Sequence, residues 1–600
     1  MILPRRLLHW AATRGGAVAI RQKEFGIWQS HDWADYARTA RRFGAGLAAL
    51  GLPEGGHVAV LSESRREWVV AQMGVNLVGG VCVGIYPTSP APEVAELLKA
   101  ADVDMLVVED QEQLDKALEV RAELPRLSMI VVIDPRGTRR YDQAGLRAFD
   151  AVLELGAAEE ARDPGVVDRR LAAVTPDHPA LMIFTSGSTG RPKAAILSHR
   201  NIVAAGDAVA RTWGIDHRDT VVSYLPLCHV AEQIFTVQLP LSVGYAVNFA
   251  ESLRTVQSDM REIAPTVFLG VPRIWEKLHG SISIKLMETG PLRRRLTERA
   301  VASMLRHAGT PRSRQGALVR LERLFWHVLV FRSLLKFMGL LRARLCFSGA
   351  APISPELLGF FRALDVPIRE AYGMTETCGI ATGQVGDASP VGTVGAPIEG
   401  MELRLAEDGE ILMRGAQVFA GYYRDPAATA AAVRDGWLHS GDVGERVGDE
   451  YRIVDRKKDI LITAGGKNLS PSEIENGLKS SPYIREAVAI GDRRPYVAAL
   501  IQIDADTVGK WAETQGIAHT TFRSLAENDR VRALVAAEVE KANARMPRVA
   551  HVRRFHLLAK ELDHDDGEVT ATMKVRRKAV AELFADEIAA LYAAEDRSVA

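Results

Sequence analysis

Leu181-Met-Ile-Phe-Thr-Ser-Gly-Ser-Thr-Gly-Arg-Pro-Lys193 joins an apolar run to a stretch of small and hydroxyl residues that ends in a lysine. The run Leu181 to Phe184 has the length and character of one buried strand. Small residues let backbone N–H groups approach phosphate oxygens. The hydroxyls of Thr185, Ser186, Ser188 and Thr189 add donors, Gly187 and Gly190 keep the loop slim, and Lys193 supplies a positive charge. The Gly-Lys-Ser/Thr order of a Walker loop is missing, so a phosphate-cradling loop of another kind is expected here.

Outward from this loop, short apolar runs recur between longer amphipathic stretches. They are His57-Val-Ala-Val-Leu-Ser62, Asp104-Met-Leu-Val-Val-Glu109, Ser128-Met-Ile-Val-Val-Ile133, Thr220-Val-Val-Ser-Tyr-Leu225, Thr266-Val-Phe-Leu269 and Arg344-Leu-Cys-Phe-Ser348. Runs buried on both faces and spaced by helices imply an α/β fold with mainly parallel sheets. Between 391 and 455 the texture changes to glycine-punctuated segments such as Glu410-Ile-Leu-Met-Arg-Gly415, which suggests a small β-rich subdomain. A second, smaller α/β unit begins after Asp455-Arg-Lys-Lys-Asp459, with a helix near 471–480 and strands near 486–490 and 497–503. The expected organisation is a large N-terminal domain over 1–455, its β-rich part at 391–455, and a small mobile C-terminal domain over 456–600.

A chain of 600 residues with 47% hydrophobic and 25% charged residues suits at least two globular domains. Its formal net charge of zero argues against a nucleic-acid partner. Four cysteines, Cys82, Cys228, Cys346 and Cys378, are widely spaced, which suggests neither a zinc cluster nor a disulfide framework and fits a reducing, cytoplasmic compartment. No signal peptide is expected, because Arg14 and Arg21 interrupt the N-terminal apolar residues. The most apolar stretch, Val69 to Tyr86, contains Gln72, Asn76 and several glycines, and is read as a buried helix leading into a strand.

The loop 185–193 resembles the phosphate loop of the adenylate-forming superfamily, which includes acyl-CoA synthetases, luciferases and peptide-synthetase adenylation domains. Further segments agree in order: Ser348-Gly-Ala-Ala-Pro352, Tyr372-Gly-Met-Thr-Glu-Thr377, Trp437-Leu-His-Ser-Gly-Asp442, Asp455-Arg456 and Thr572-Met-Lys574. The likeness runs from about residue 20 to about 585. It implies an ATP-dependent reaction in which a carboxylate meets the α-phosphate of ATP, two anions that need positive charge where the bond forms. It further implies Mg2+ on Glu376, Tyr372 stacked on adenine with Gly349 and Ala350 behind the ring, and Thr375 near the phosphates. Asp442 would accept from the ribose hydroxyls with Arg456 beside it. Lys574 would bridge carboxylate and α-phosphate, then leave as the small domain turns about Lys458. The turned state would bring Thr463-Ala-Gly-Gly-Lys-Asn468, with Gly465 and Gly466, towards the pantetheine arm of CoA.

Tyr224-Leu-Pro-Leu-Cys-His-Val-Ala-Glu-Gln233 and Asn248-Phe-Ala-Glu-Ser252 resemble the long-chain acyl-CoA synthetase branch, and place His229 near the acyl carboxylate. The resemblance implies a ligase that makes acyl-AMP and pyrophosphate from ATP and a fatty acid, then acyl-CoA and AMP. A fatty-acyl-AMP ligase serving a carrier protein and a catalytically silent lipid-binding relative remain as alternatives. An apparent helical insertion over 281–345 is rich in arginine, including Arg293, Arg294, Arg295, Arg299, Arg306, Arg320 and Arg323. It suits two placements, on the inner face of an anionic membrane through 291–345 or packed on the main domain with its arginines in water. Ala194 and Ala571 depart from the glycine and proline usual in the branch.

Overall fold

The computed structural model describes the chain up to residue 593, apart from 143, 187–191, 308–309, 312–313, 388, 565 and 571–573. Each apolar run quoted above forms a strand. His57–Leu61, Val81–Ile85 and Met105–Val108 are buried at every position, which is why they read as unbroken apolar runs rather than alternating ones. They form the parallel middle of an eight-stranded sheet, with Val81–Ile85 pairing to Pro179–Ser186 on one side and to His57–Leu61 on the other.

The edge of this sheet is antiparallel. Pro179–Ser186 folds back on Pro192–Ser198, with Thr185 opposite Lys193 and Ser186 opposite Pro192. Thr185, Ser186, Pro192 and Lys193 are therefore the paired arms of a hairpin, at the carboxyl end of the parallel strands where open α/β sheets place their ligands. A second sheet of five strands runs Val267–Gly270, Leu345–Ser348 and Ile368–Met374 in parallel and finishes with two antiparallel strands. A third, of four strands, holds Thr220–Ser223 and Ala246–Phe249.

The stretch Val69 to Tyr86 is a buried helix, Arg66–Leu77, followed by the strand Val81–Ile85. Its amide donors are paired inside the protein: Gln72 donates to Gln233 at 3.1 Å, and Asn76 donates to the carbonyls of Gly80 and Ala180 at 3.2 and 2.9 Å, while Asn76 Oδ1 is buried without a partner. Pairing removes the penalty of about 1–3 kcal/mol that an unsatisfied buried group would carry. Among the described residues no helix is long and apolar enough to cross a membrane.

The β-rich region is an antiparallel sheet of Met401–Leu405, Glu410–Gly415, Trp437–Val447 and Glu450–Arg456 with the short Val433–Arg434. It is not self-contained. Ala396–Pro397 pairs with Gly379–Gly383 of the five-stranded sheet, and Gly421–Tyr422 pairs with Pro192–Ser198 of the eight-stranded one. Its last strand runs one residue beyond 455, because Arg456 lies opposite Asp442.

The smaller unit contains the helix Pro471–Lys479 and the strands Ile484–Ile490, Val497–Ile503 and Val552–Leu557, around its own core with Ile474, Leu478 and Val535. The 281–345 segment is helical: Pro272–Met287 and Pro291–Leu305 are followed by Ala317–Trp326, a π turn His327–Phe331 and Arg332–Met338. Its inward side chains Met304, Trp326 and Phe331 share a core with Phe268, Trp275 and Phe361.

Helix Trp33–Ala49 is capped by Asp32, which accepts from the Asp35 N–H at 2.7 Å, and it packs on Phe149–Arg162 through glycines. A Cβ at Gly156 would stand 1.7 Å from the Arg42 carbonyl oxygen, and one at Gly46 would stand 2.2 Å from that of Val152. Both obstacles are backbone, which cannot step aside. Gly156→Val is expected to lower the apparent Tm by several degrees, as overpacking of about 1–3 kcal/mol does. Differential scanning fluorimetry reads it.

Candidate active site

Two groups of side chains lie near the loop end of the phosphate hairpin, beside Lys193. The first is built around Tyr422. Strand pairing sets Tyr422 opposite Ala195, which brings its ring 5.4 Å from the Lys193 ammonium and lets its hydroxyl donate to Glu376 Oε1 at 2.6 Å. Glu376 lies in the 3-10 turn Thr375–Thr377 that ends the strand Ile368–Met374. The Thr377 hydroxyl fixes the turn, accepting from the Met374 N–H and reaching the Gly379 carbonyl at 2.7 Å, while the Phe419 N–H donates to the Glu376 carbonyl at 2.8 Å. Burial pushes the Glu376 carboxyl above its ordinary range, and the Tyr422 hydrogen bond opposes that rise.

The second group is built around Asp442. Tyr372 donates its hydroxyl to Asp442 Oδ2 at 2.7 Å, and Arg456 Nε lies 3.6 Å from Oδ1 across the sheet. Burial raises the Asp442 carboxyl, while Tyr372, Arg456 and Lys574 pull it back. Gly349 and Ala350 follow the strand Leu345–Ser348. A Cβ on Gly349 would stand 3.0 Å from the Ala371 carbonyl oxygen, and Ala350 takes a left-handed φ of 67°. This loop therefore lies against the strand that carries Tyr372.

Lys574 comes from the small domain. Its backbone N–H donates to the Thr570 hydroxyl at 3.1 Å, and the Thr570 N–H donates to its carbonyl at 2.8 Å. Lys574 is exposed to solvent by surface area, although protein atoms crowd around its ammonium. Burial, then the neighbouring Arg456 charge, lowers its ammonium to about 8, with Asp442 opposing. Lys574 in turn adds to the burial that lowers His229 to about 4, so the imidazole is neutral at neutral pH. His229 caps the helix Val230–Gln233, with Nδ1 accepting from the Ala231 N–H at 3.1 Å. That bond leaves Nε2 as the N–H donor.

Of the residues expected from the sequence, the structure thus assembles Lys193, Tyr372, Glu376, Asp442, Arg456, His229 and Lys574. Thr185 lies in the hairpin with its hydroxyl 3.4 Å from the Lys193 carbonyl, and Ser186 pairs there through its backbone. Gly187, Ser188, Thr189 and Gly190 lie outside the described residues, as do Ala571, Thr572 and Met573. Ala194 is buried in the second arm of the hairpin, within the core. Lys458 is exposed in the turn after Arg456, and Gly465 and Gly466 form an exposed turn in which Gly466 has φ 74°. Asp455, beside that turn, accepts from the Ser470 hydroxyl at 2.6 Å and from the N–H and hydroxyl of Ser472 at 3.1 Å, which ties the last β-rich strand to the first helix of the small domain.

Two residues escaped the sequence reading. Tyr422 carries no signal beyond a glycine before it, because its role depends on a pairing between strands more than two hundred residues apart. Glu232, three residues after His229, is fully enclosed and raised to about 7 by burial. It accepts from the Leu225 N–H at 3.1 Å and from the Thr236 hydroxyl at 2.5 Å. The periodicity of its helix is too short to show that it faces inward.

The family model for AMP-binding enzymes matches residues 7–423, and that for the AMP-binding enzyme C-terminal domain matches residues 458–596. The chain belongs to the AMP-binding enzyme family. Among AMP-binding enzymes it is 33% identical to the long-chain-fatty-acid–CoA ligase FadD15 of Mycobacterium bovis over 572 residues, covering 94% of this chain and 93% of that protein. It is 31% identical to the long-chain-fatty-acid–CoA ligase ACSBG2 of Xenopus laevis, covering 96% and 82%. The crystal structure of the anthranilate CoA ligase AuaEII in complex with anthranoyl-AMP shares the fold, with a TM-score of 0.72, 19% identity and 97% of each chain covered. This AMP-binding enzyme is an acid–thiol ligase.

Tyr422→Phe removes the hydroxyl that supports the Glu376 carboxylate. The folded pKa of Glu376 already lies above its ordinary value, so its charge costs stability at neutral pH, and the variant raises that pKa further. The expected loss is about 1–3 kcal/mol at neutral pH, shrinking as acid protonates Glu376 in both proteins. Thermal unfolding at neutral and mildly acidic pH measures it.

Proposed function

We propose that the chain is an AMP-forming long-chain fatty acid–CoA ligase whose first half-reaction takes place in the domain arrangement described above. The observation that carries this reading is Lys574, whose charge is felt by both His229 and Asp442 although it belongs to the other domain. The fatty-acid substrate rests on the named relatives, which match over nearly the whole chain.

In this reading the ribose lies on Asp442, with Arg456 beside it, and the adenine lies between Tyr372 and the Gly349–Ala350 loop. The phosphate loop and Lys193 hold the outer phosphates, with Thr375 nearby. Neutral His229 offers its Nε2–H to the acyl carboxylate, and Lys574 stands between that carboxylate and the α-phosphate. One carboxylate oxygen bonds to the α-phosphorus as the bond to pyrophosphate breaks. In the second half-reaction the CoA sulfur bonds to the acyl carbon and AMP leaves. For that step the small domain turns about Lys458, at the division near 455–456, and Gly465 and Gly466 give the pantetheine arm close access to backbone.

Glu376 suits Mg2+. It is a buried carboxylate whose nearest hydrogen-bond donor is a neutral phenol, and among the described residues no cluster of three or more His, Cys, Asp or Glu surrounds it. Mg2+ commonly takes one or two protein carboxylates and completes its shell with phosphate oxygens and water. When bound, the ion would neutralise phosphate charge. A cytoplasmic location, with contact at the inner membrane face through 291–345, belongs to the same reading.

CoA-dependent AMP release from ATP with butyrate and palmitate tests the assignment. Release that needs both palmitate and CoA supports it, whereas adenylate formation without CoA turnover points to a carrier-dependent ligase. Lys574→Ala is expected to slow adenylation by about a hundredfold or more, the usual effect of removing one preorganised charge. Thioester formation from supplied acyl-AMP should be largely kept. The ammonium is charged below its pKa, so kcat/KM for adenylation should fall as pH rises through about 8, the free-enzyme value. Lys574→Arg should remove that alkaline limb, because guanidinium does not titrate there.

A further inference from the structure

The helix Ala317–Trp326 continues through the π turn His327–Phe331 into Arg332–Met338, a rod of about 33 Å at 1.5 Å per residue. It is apolar on two sides. One side, with Trp326, Val330, Phe331, Leu334 and Leu335, is buried in the core. The other carries Leu318, Leu321, Leu324, Phe325, Val328 and Leu329, all exposed, with Leu318 at 82% and Val328 at 67%. Their spacing follows one helical stripe. Scattered exposed apolar residues need no explanation, but six large ones along one helix face do.

Charge identifies the partner. Residues 291–345 hold thirteen lysines and arginines against two acids, Glu298 and Glu322, in a chain of zero net charge. Both acids are engaged within the protein, Glu298 with Arg294 at 2.8 Å and Glu322 with the Ser303 hydroxyl and with Trp326 Nε1 at 3.3 Å. Arg323 and His327 turn to Asp365 and fasten the rod to the domain. Arg332 and Lys336 are exposed at the end of the rod, with no ion pair among the described residues. A second copy of this face would bring the same excess of positive charge and be repelled. An anionic lipid surface offers phosphate for the basic side chains and hydrocarbon for the stripe.

We propose that this rod lies in the plane of an anionic bilayer, with the 318–329 stripe in the acyl boundary and Arg332 and Lys336 reaching the phosphates. The proposal rests on the ligase reading only for its purpose, the capture of acids that reside in lipid. It narrows the contact from the whole of 291–345 to one helix face.

Flotation of the full-length protein with phosphatidylcholine vesicles, alone or mixed with phosphatidylglycerol, tests it. The wild type should float with the mixed vesicles and stay behind with the neutral ones. Two variants, Leu321→Ser/Phe325→Ser/Val328→Ser and Arg332→Glu/Lys336→Glu, should each lose about tenfold or more of the bound fraction, with an unchanged unfolding temperature. The proposal is overturned by a wild type that does not float, by equal floating on neutral vesicles, or by a serine variant that floats like the wild type. A dimer that sedimentation detects in the wild type and not in the serine variant would also overturn it, by making the occupant a second copy. A protein that floats as expected yet makes no acyl-CoA from palmitate sinks the ligase reading and leaves the docking face standing.

Discussion

The reaction centre depends on a positive charge held where burial opposes it. Lys574 sits in a cleft next to Arg456, both of which disfavour its ammonium, and Asp442 is the acid that offsets them. Its ammonium is lowered to about 8 and so stays largely charged at neutral pH. In the proposed reading, an entering triphosphate and carboxylate would add negative charge beside it and raise that value. The parallel strands, the hairpin and the β-rich sheet converge here because each contributes a piece that cannot be reached locally in the chain.

In the proposed reading, the position of Lys574 also accounts for a division into two domains. A lysine fixed on the large domain would remain in place after the adenylate forms and would hinder the thiol. Carried by a separate unit with its own core, it could withdraw in that reading without unfolding anything. Asp455 is one contact at the joint, holding the first turn of the small domain's leading helix through Ser470 and Ser472.

Much of the fold was legible because strands covered on both faces leave an unmistakable mark: Val58–Leu61 and Met105–Val108 are apolar throughout. The site was legible where chemistry clusters in sequence, as in Thr185 to Lys193 and Tyr372 to Thr377. It was not legible where it depends on register. The sequence does not show that Pro192–Ser198 folds back on Pro179–Ser186, nor that Gly421–Tyr422 leaves the β-rich region to pair beside it. The outer stripe at 318–329 was hidden for a different reason. A helix that is apolar on two sides has no single polar face, so periodicity cannot separate the side facing the core from the side facing outward.

Tyr422 has a consequence of its own. Its hydroxyl holds Glu376 and its ring faces the Lys193 ammonium, so one aromatic side chain stands between the carboxylate suited to a cation and the cation suited to phosphate. Loss of that ring would therefore disturb the acid and the lysine together, through one side chain that the strand register of Gly421–Tyr422 puts in place.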